Sequence, residues 1–405
     1  MTYLVHQVQA WSHDPTAMAK RHPKLYVART HRDAKYAPSC RRVWGDVMRA
    51  GLFVGVDRPL ELEDVEPLPP GPNDVVVDIA ASGVCHSDAA IMTGALPWSN
   101  PSILGHEVTG TVVEVGSAVT RVRTGDLVIS SGLPACANCW YCVRGQSHLC
   151  ERTFVGGETP RARRADGTPV TAFASLGGFA EMMTVPEASV VAVRSDLPAE
   201  QLALIGCAVT TGVGSALNTA AVRPGAVVAV VGCGGVGQCV VQGARIAGAS
   251  RIFAIDPVAS KREAAARQGA TDLIDPADGD VAEQIRAATD GRGSDYAFEV
   301  VGRSDTILTA YDCARRGGIV VVVGMPPVDS SITFPGLGLF LDAKEIRVSN
   351  MGSSQIRADF PRYVALAETG RLDLGSLVTR RIALDDVNDA FRAMDAGEEI
   401  RTVIV

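Results

Sequence analysis

The chain runs to 405 residues, too long for one hydrophobic core and suited to two packed domains. Its residues are 47% hydrophobic with 41 glycines, and no uninterrupted apolar run reaches the length a membrane span needs, so no membrane partner is expected. The formal charge of −7 is uneven: residues 1 to 47 hold eight Lys/Arg against three Asp, which leaves −12 on the remainder, and so acidic a body argues against nucleic acid as a partner.

Residues 1 to 47 lack hydrophobic periodicity and read as an appended, disordered arm, with Met48 the natural alternative first residue. His6, His13, His22 and His31 lie there at spacings of seven and nine, which match no metal-ligand motif. The start MTYLVHQVQAWSHDPT has no basic region followed by a clean apolar stretch, so no secretory signal is expected. From Met48 the texture changes to short strand-like runs divided by Gly and Pro: LFVGV, DVVVDIAASG, TGTVVEVG and DLVIS. They predict a mostly β domain over 48–208.

Within that stretch Cys136, Cys139, Cys142 and Cys150 form C-x2-C-x2-C-x7-C. Four thiolates on a short loop satisfy tetrahedral Zn²⁺ and leave no position for substrate, which marks a structural site; an iron–sulfur cluster is the competing use. The ten cysteines are therefore not spread as a disulfide framework, and reduced thiols suggest a cytoplasmic protein.

Around Ala208 strands and helices begin to alternate: AVVAVVG, a helix over 236–247, RIFAID, KREAAARQ, DLID, VAEQIRAAT, YAFEVVG, a helix, GIVVVVG. Fully apolar strands between amphipathic helices predict a doubly wound parallel sheet over 209–350, and hence an α/β fold. After residue 350 the helical stretches DFPRYVALAETG and DDVNDAFRAMDAG and the strand RTVIV close the chain. Edge-strand candidates lie in DSSITFPGLGLF and EIRVSN.

The first of these parallel strands runs directly into Gly232, Gly234, Gly235, Val236 and Gly237, a G-x-G-x-x-G fingerprint that opens a helix. Such a turn brings backbone close to a dinucleotide pyrophosphate and points a helix N-terminus at it. Asp256 follows nineteen residues later at the end of the next apolar strand, where a carboxylate binds ribose hydroxyls and repels the extra phosphate of NADP. NAD is the expected cofactor, with Lys261 beside it; Lys261 and Arg262 keep NADP as the alternative.

A scattered set remains: Cys85 in GVCHSD, His106 in ILGHE and Cys207 in IGCAVTTG. Taken singly each is an ordinary core residue, and spacing alone does not join them. The motifs GVCHSD, GHE, the four-cysteine lobe, GCAVTTG, GCGGVG and IRTVIV, in this order from Met48 to Val405, resemble the zinc-containing medium-chain alcohol dehydrogenases. The length of 151–183 resembles their long-form branch, which includes liver-type and formaldehyde-linked enzymes.

The resemblance implies a GroES-like catalytic domain over 48–208 and 351–405 beside a Rossmann domain, with two zinc ions per chain, one catalytic and one structural. It makes Cys85, His106 and Cys207 the catalytic ligands with a fourth position open. Asp88 would orient His106, Glu107 would lie behind the metal, and Ser87 would take the alcohol proton. Arg401 and His86 would lie at the pyrophosphate, and Thr211 and Val236 around the nicotinamide. Many relatives end the proton relay on a histidine where this chain has Ala90, so the relay must end on His86 or water. Trp98, Met92 and PGLGLFL are candidates to line a pocket for apolar or aryl alcohols.

The implied activity is reversible oxidation of a primary or secondary alcohol with hydride transfer to NAD, in a homodimer or homotetramer. Two alternatives are an NAD-dependent dehydrogenase of a thiol's formaldehyde adduct, for which Arg152 is a loose positional match, and a non-catalytic NAD-binding scaffold.

Overall fold

The computed structural model describes residues 47–153, 159–397 and 399–405, so the arm expected over 1–47 lies, Val47 apart, outside the described residues. The chain first lays down ten short strands: β1 (Met48–Phe53), β2 (Glu61–Pro67), β3 (Asp74–Gly83), β4 (Ser102–Ile103), β5 (Glu107–Val115), β6 (Leu127–Ser130), β7 (Ala162–Arg163), β8 (Pro169–Ala172), β9 (Met182–Pro186) and β10 (Val190–Ala192). Strands β1, β2, β7, β8 and β4 close into a barrel, and β10, β6, β5, β3 and β9 belong to a second sheet. Val75, Val77, Val108, Val112, Val128 and Val185 pack into one buried cluster of that sheet, as alternate β-branched residues on a pleated surface do. One helix in this region is α1 (His86–Met92), which leaves directly from the end of β3.

Helices α2 (Ala199–Ala203) and α3 (Ala208–Gly214) lead into the alternating half. There β11 (Val227–Val231), α4 (Gly235–Ile246), β12 (Arg251–Ile255), α5 (Ala259–Gln268), β13 (Asp272–Ile274), α6 (Val281–Ala287), β14 (Ser294–Glu299), α7 (Ser304–Cys313), β15 (Ala314–Val322), α8 (Gly336–Asp342) and β16 (Glu345–Val348) follow in turn. All pairings in this sheet are parallel, in the order β13-β12-β11-β14-β15-β16. That is a doubly wound sheet whose order reverses beside β11, the place where such sheets bind dinucleotides. Val228 and Val230 of β11 join one buried cluster and Ala229 and Val231 another, so both faces are covered, as the uninterrupted apolar strand predicts.

Helices α9 (Ile356–Glu368) and α10 (Val387–Asp395) follow, with β17 (Arg380–Ile382) and β18 (Thr402–Ile404) returning to the second sheet. Strand β18 pairs with β3 at Val403–Gly83 and Ile404–Ser82, and Thr402 O accepts the Val84 N–H at 3.0 Å. This return carries Arg401 to the start of α1.

One expectation fails. The segment DSSITFPGLGLF is no edge strand: its C-terminal part is α8, with Leu337 and Phe340 73% and 80% exposed. Pro335 has no N–H to give a ladder and stands as the N-cap of that helix. The edge strand is β16, from EIRVSN.

Candidate active site

Three separate turns meet where β3, β5 and α3 converge. Cys85 is the N-cap of α1, and Asp88, three residues on, accepts its backbone N–H at 3.3 Å through Oδ2. Oδ1 of the same carboxylate accepts the Gly105 N–H at 2.9 Å and lies 3.2 Å from Nδ1 of His106. A fully buried Asp88 thus ties the first turn of α1 to the turn before β5 and sets the imidazole's orientation. Cys207 is the N-cap of α3, in a non-helical conformation with φ −141° and ψ −73°.

Among the described residues, ligand atoms of Cys85, His106, Glu107 and Cys207 lie within 4.8 Å of one another, all four buried. The Ser87 hydroxyl lies 3.9 Å from the Cys85 sulfur at the same rim. Two sulfurs and an imidazole in so tight a cage suit a borderline-soft cation and would leave zinc a free position. The Cys85 thiol is held well below its usual range, first by the hydrogen bond from Cys207 and further by Arg401 and His106. His106 is the reverse case: burial alone would lower its pKa, yet Asp88 and Cys85 raise it well above the usual value. The proton so favoured is the one a bound cation displaces.

Behind this cage the Glu107 carboxyl is buried, and neither oxygen has a hydrogen bond partner. Burial pushes its pKa up to about 8 despite Arg401, whose Nη1 stands 3.4 Å from Oε1. Gly83 makes room for that carboxylate, since a Cβ at 83 would collide with it. Arg401 also donates to Val84 O at 3.2 Å, while its buried Nε has no partner.

That guanidinium lies directly against Gly235, the first residue of α4, where a Cβ would collide with Nε. Gly232 takes φ +96° at the end of β11, Gly234 is the N-cap of α4, and a Cβ on Gly237 would strike Gly232 O. The glycine turn is therefore open to a pyrophosphate at a helix N-terminus. His86 opens α1, and its pKa is lowered first by desolvation and then by the charges of Arg401 and Lys261, against the opposing pull of Cys85 and Asp395. Asp256, just past β12, receives the N–H of Cys233 at 2.8 Å and of Val258 at 2.9 Å, one on each carboxylate oxygen. Val236 is partly exposed in the first turn of α4, and the Thr211 hydroxyl reaches Met351 sulfur at 3.5 Å.

The second cysteine group is equally compact: the sulfurs of Cys136, Cys139, Cys142 and Cys150 lie within 4.8 Å of one another. Backbone N–H groups of Cys136, Cys139 and Arg152 donate to sulfurs at 3.3 to 3.4 Å, the charge-stabilising pattern of thiolate sites. The Cys139 thiol is lowered to about 6 by backbone donors from Cys142 and Glu151. This lobe is pinned to the turn after β16 by Ser147 to Ser354 O at 3.3 Å and Asn350 to His148 O at 3.1 Å.

Phe173 is the site residue that sequence reasoning missed. Its ring stands edge-on to His106 at 5.2 Å and to Trp98 at 5.0 Å, so an aromatic wall backs the imidazole. Ala174 and Ser175, which follow it, both take positive φ, a turn with no glycine signal to announce it. Met92 packs with Trp98 against the barrel core, whereas PGLGLFL lies largely exposed on α8.

A family model described as the alcohol dehydrogenase GroES-like domain matches residues 71–195, and one described as zinc-binding dehydrogenase matches residues 235–369. An S-(hydroxymethyl)glutathione dehydrogenase of Photobacterium damsela subsp. piscicida is 38% identical over 365 residues, covering 88% of this chain and 99% of the relative. Among solved structures, an alcohol dehydrogenase zinc-binding domain protein from Burkholderia ambifaria is 31% identical with a TM-score of 0.84, covering 88% of this chain and 98% of its own. Benzyl alcohol dehydrogenase from Acinetobacter calcoaceticus is 28% identical with a TM-score of 0.83, covering 88% and 99%. With both halves matched and both cysteine cages in place, the chain belongs to the zinc-binding alcohol dehydrogenase family and is an oxidoreductase.

Proposed function

We propose that this enzyme reversibly oxidises primary or secondary alcohols with apolar or aryl bodies to aldehydes or ketones, with NAD as hydride acceptor. The observation that carries the reading is the buried cage of Cys85, His106 and Cys207 beside the Ser87 hydroxyl, next to the glycine turn of a dinucleotide cradle. Zinc held by these three side chains supplies Lewis acidity toward an alcohol oxygen, and NAD supplies the hydride acceptor.

The remaining roles fall to the chain's own groups. Asp88 keeps Nδ1 of His106 engaged and leaves Nε2 free to ligate. Ser87 Oγ receives the alcohol proton and passes it outward to water or to His86, whose desolvation, with the charges of Arg401 and Lys261, favours its neutral, proton-accepting form. Arg401, His86 and Lys261 hold the pyrophosphate side of the cofactor at α4. Asp256 receives the ribose hydroxyls and selects NAD over NADP by charge. The four-cysteine lobe takes the structural zinc.

The Phe173–Trp98 wall and the likeness to a benzyl alcohol dehydrogenase support a flat, apolar substrate. A second reading, oxidation of a formaldehyde adduct of a low-molecular-weight thiol, is favoured by the S-(hydroxymethyl)glutathione dehydrogenase relative. It requires cations at the substrate cleft to hold the thiol's carboxylates. Turnover of aryl, aliphatic and thiol-adduct alcohols, followed by absorbance of reduced nicotinamide, separates the two: the first reading predicts the highest kcat/KM with aryl alcohols, and a preference for the adduct would replace it with the second.

A homodimer or homotetramer also belongs to this reading. The free edge of β16, with Ile346 41% and Val348 72% exposed, supports pairing with a second copy. The nine described cysteines are all unpaired, which supports residence in a reducing compartment such as the cytoplasm.

A further inference from the structure

Away from the cofactor cleft, residues 120–126 before β6 and residues 192–194 at the end of β10 border an open depression of about 330 Å³. Three exposed arginines, Arg121, Arg123 and Arg194, line it together with Val122 and Val193, which at 8% and 9% exposed supply its apolar part. Only Arg123 has a carboxylate partner there, Asp126 at 3.5 Å; among the described residues the side chains of Arg121 and Arg194 have neither a hydrogen bond nor an ion pair. Glu187, beside them, uses Oε1 to accept the backbone N–H of Thr120 at 2.7 Å and that of Arg121.

In a protein of net charge −7, three exposed arginines at one depression, against the two carboxylates of Asp126 and Glu187, make a local excess of positive charge that attracts an anion.

We infer that this depression binds a phosphate-bearing small anion carrying more than one negative charge, gripped by Arg121 and Arg194 with its apolar part over Val122 and Val193. Guanidinium forks match phosphate oxygens in pairs, and a concave site of this volume suits a small molecule better than a flat protein partner.

The test uses zinc-loaded enzyme saturated with NADH, so that the cofactor cleft is already filled, titrated calorimetrically with pyrophosphate and, separately, with ATP. Saturable binding of one anion per chain is expected, weakened at least tenfold in the double variant Arg121→Gln, Arg194→Gln, with alcohol turnover unchanged. Tighter binding of ATP than of pyrophosphate would assign a contribution to Val122 and Val193. Absence of saturable binding, equal binding by the double variant, or equal binding of chloride would overturn the proposal.

Discussion

Nη1 of Arg401 lies 3.4 Å from Oε1 of Glu107 with both side chains buried, and the same guanidinium rests on Gly235 at the start of α4. One arginine near the end of the chain therefore touches the back of the zinc cage, the carbonyl of Val84 and the pyrophosphate end of the cofactor cradle. Replacing it tests whether these parts work as one unit. Arg401→Leu leaves Glu107 buried without a countercharge, a change that costs roughly 3–5 kcal/mol where the partner stays ionised, less here because Glu107 titrates near pH 8. A lower melting temperature together with a raised KM for NAD is expected. Arg401→Lys, which keeps the charge but not the fork, is expected to recover much of the stability and little of the NAD affinity.

Asp88 is the support of His106. The Asp88→Asn enzyme keeps an acceptor for the Cys85 or Gly105 N–H but loses the charge opposite the imidazole. Such outer partners are worth about 10–100-fold in metal affinity. Chelator competition, read as zinc retained per chain, is expected to show loss from the catalytic cage while the four-cysteine lobe stays loaded; unchanged affinity would remove Asp88 from its role.

In the proposed reading, cofactor choice rests on Asp256. Its carboxylate holds two backbone N–H groups, so substitution loosens the turn as well as removing the ribose acceptor. Asp256→Ser is expected to raise KM for NAD by about 10–100-fold, the scale of a lost charge-assisted hydrogen bond, and to narrow the gap between NAD and NADP. Steady-state kinetics with both cofactors read the two effects separately.

Phe173→Ala removes the aromatic wall. Edge-to-face pairs contribute about 0.5–1.5 kcal/mol beyond area burial, so kcat/KM for aryl alcohols is expected to fall roughly 2–10-fold, with aliphatic alcohols affected less. An equal fall for both classes would mean that Phe173 supports His106 rather than selecting substrate.

How much of this was legible in the sequence depends on how local each signal is. The glycine turn and its flanking strands lie within a single βαβ unit, and the four thiols of the structural lobe lie on one loop, so residue order alone revealed both. Cys85, His106 and Cys207 come from three turns that meet only when the second sheet forms, and no spacing rule joins them; the family resemblance proposed the set, and the fold brings the three together. The Arg401–Glu107 contact depends on β18 returning to β3, and Phe173 on a positive-φ turn built from Ala and Ser, neither of which leaves a periodic trace. Around α8 the family's edge-strand assembly suggested a strand in DSSITFPGLGLF, and Pro335 stands there as a helix N-cap instead.

The most direct test of the central claim is zinc content per chain measured beside NADH formation from an aryl alcohol, before and after stepwise chelation and after zinc is restored. Two zincs per chain, with activity lost on removal of the one held by Cys85, His106 and Cys207 and regained on its return, is the predicted result. A single zinc per chain, or NADH formation that persists after that cage is emptied, would contradict it.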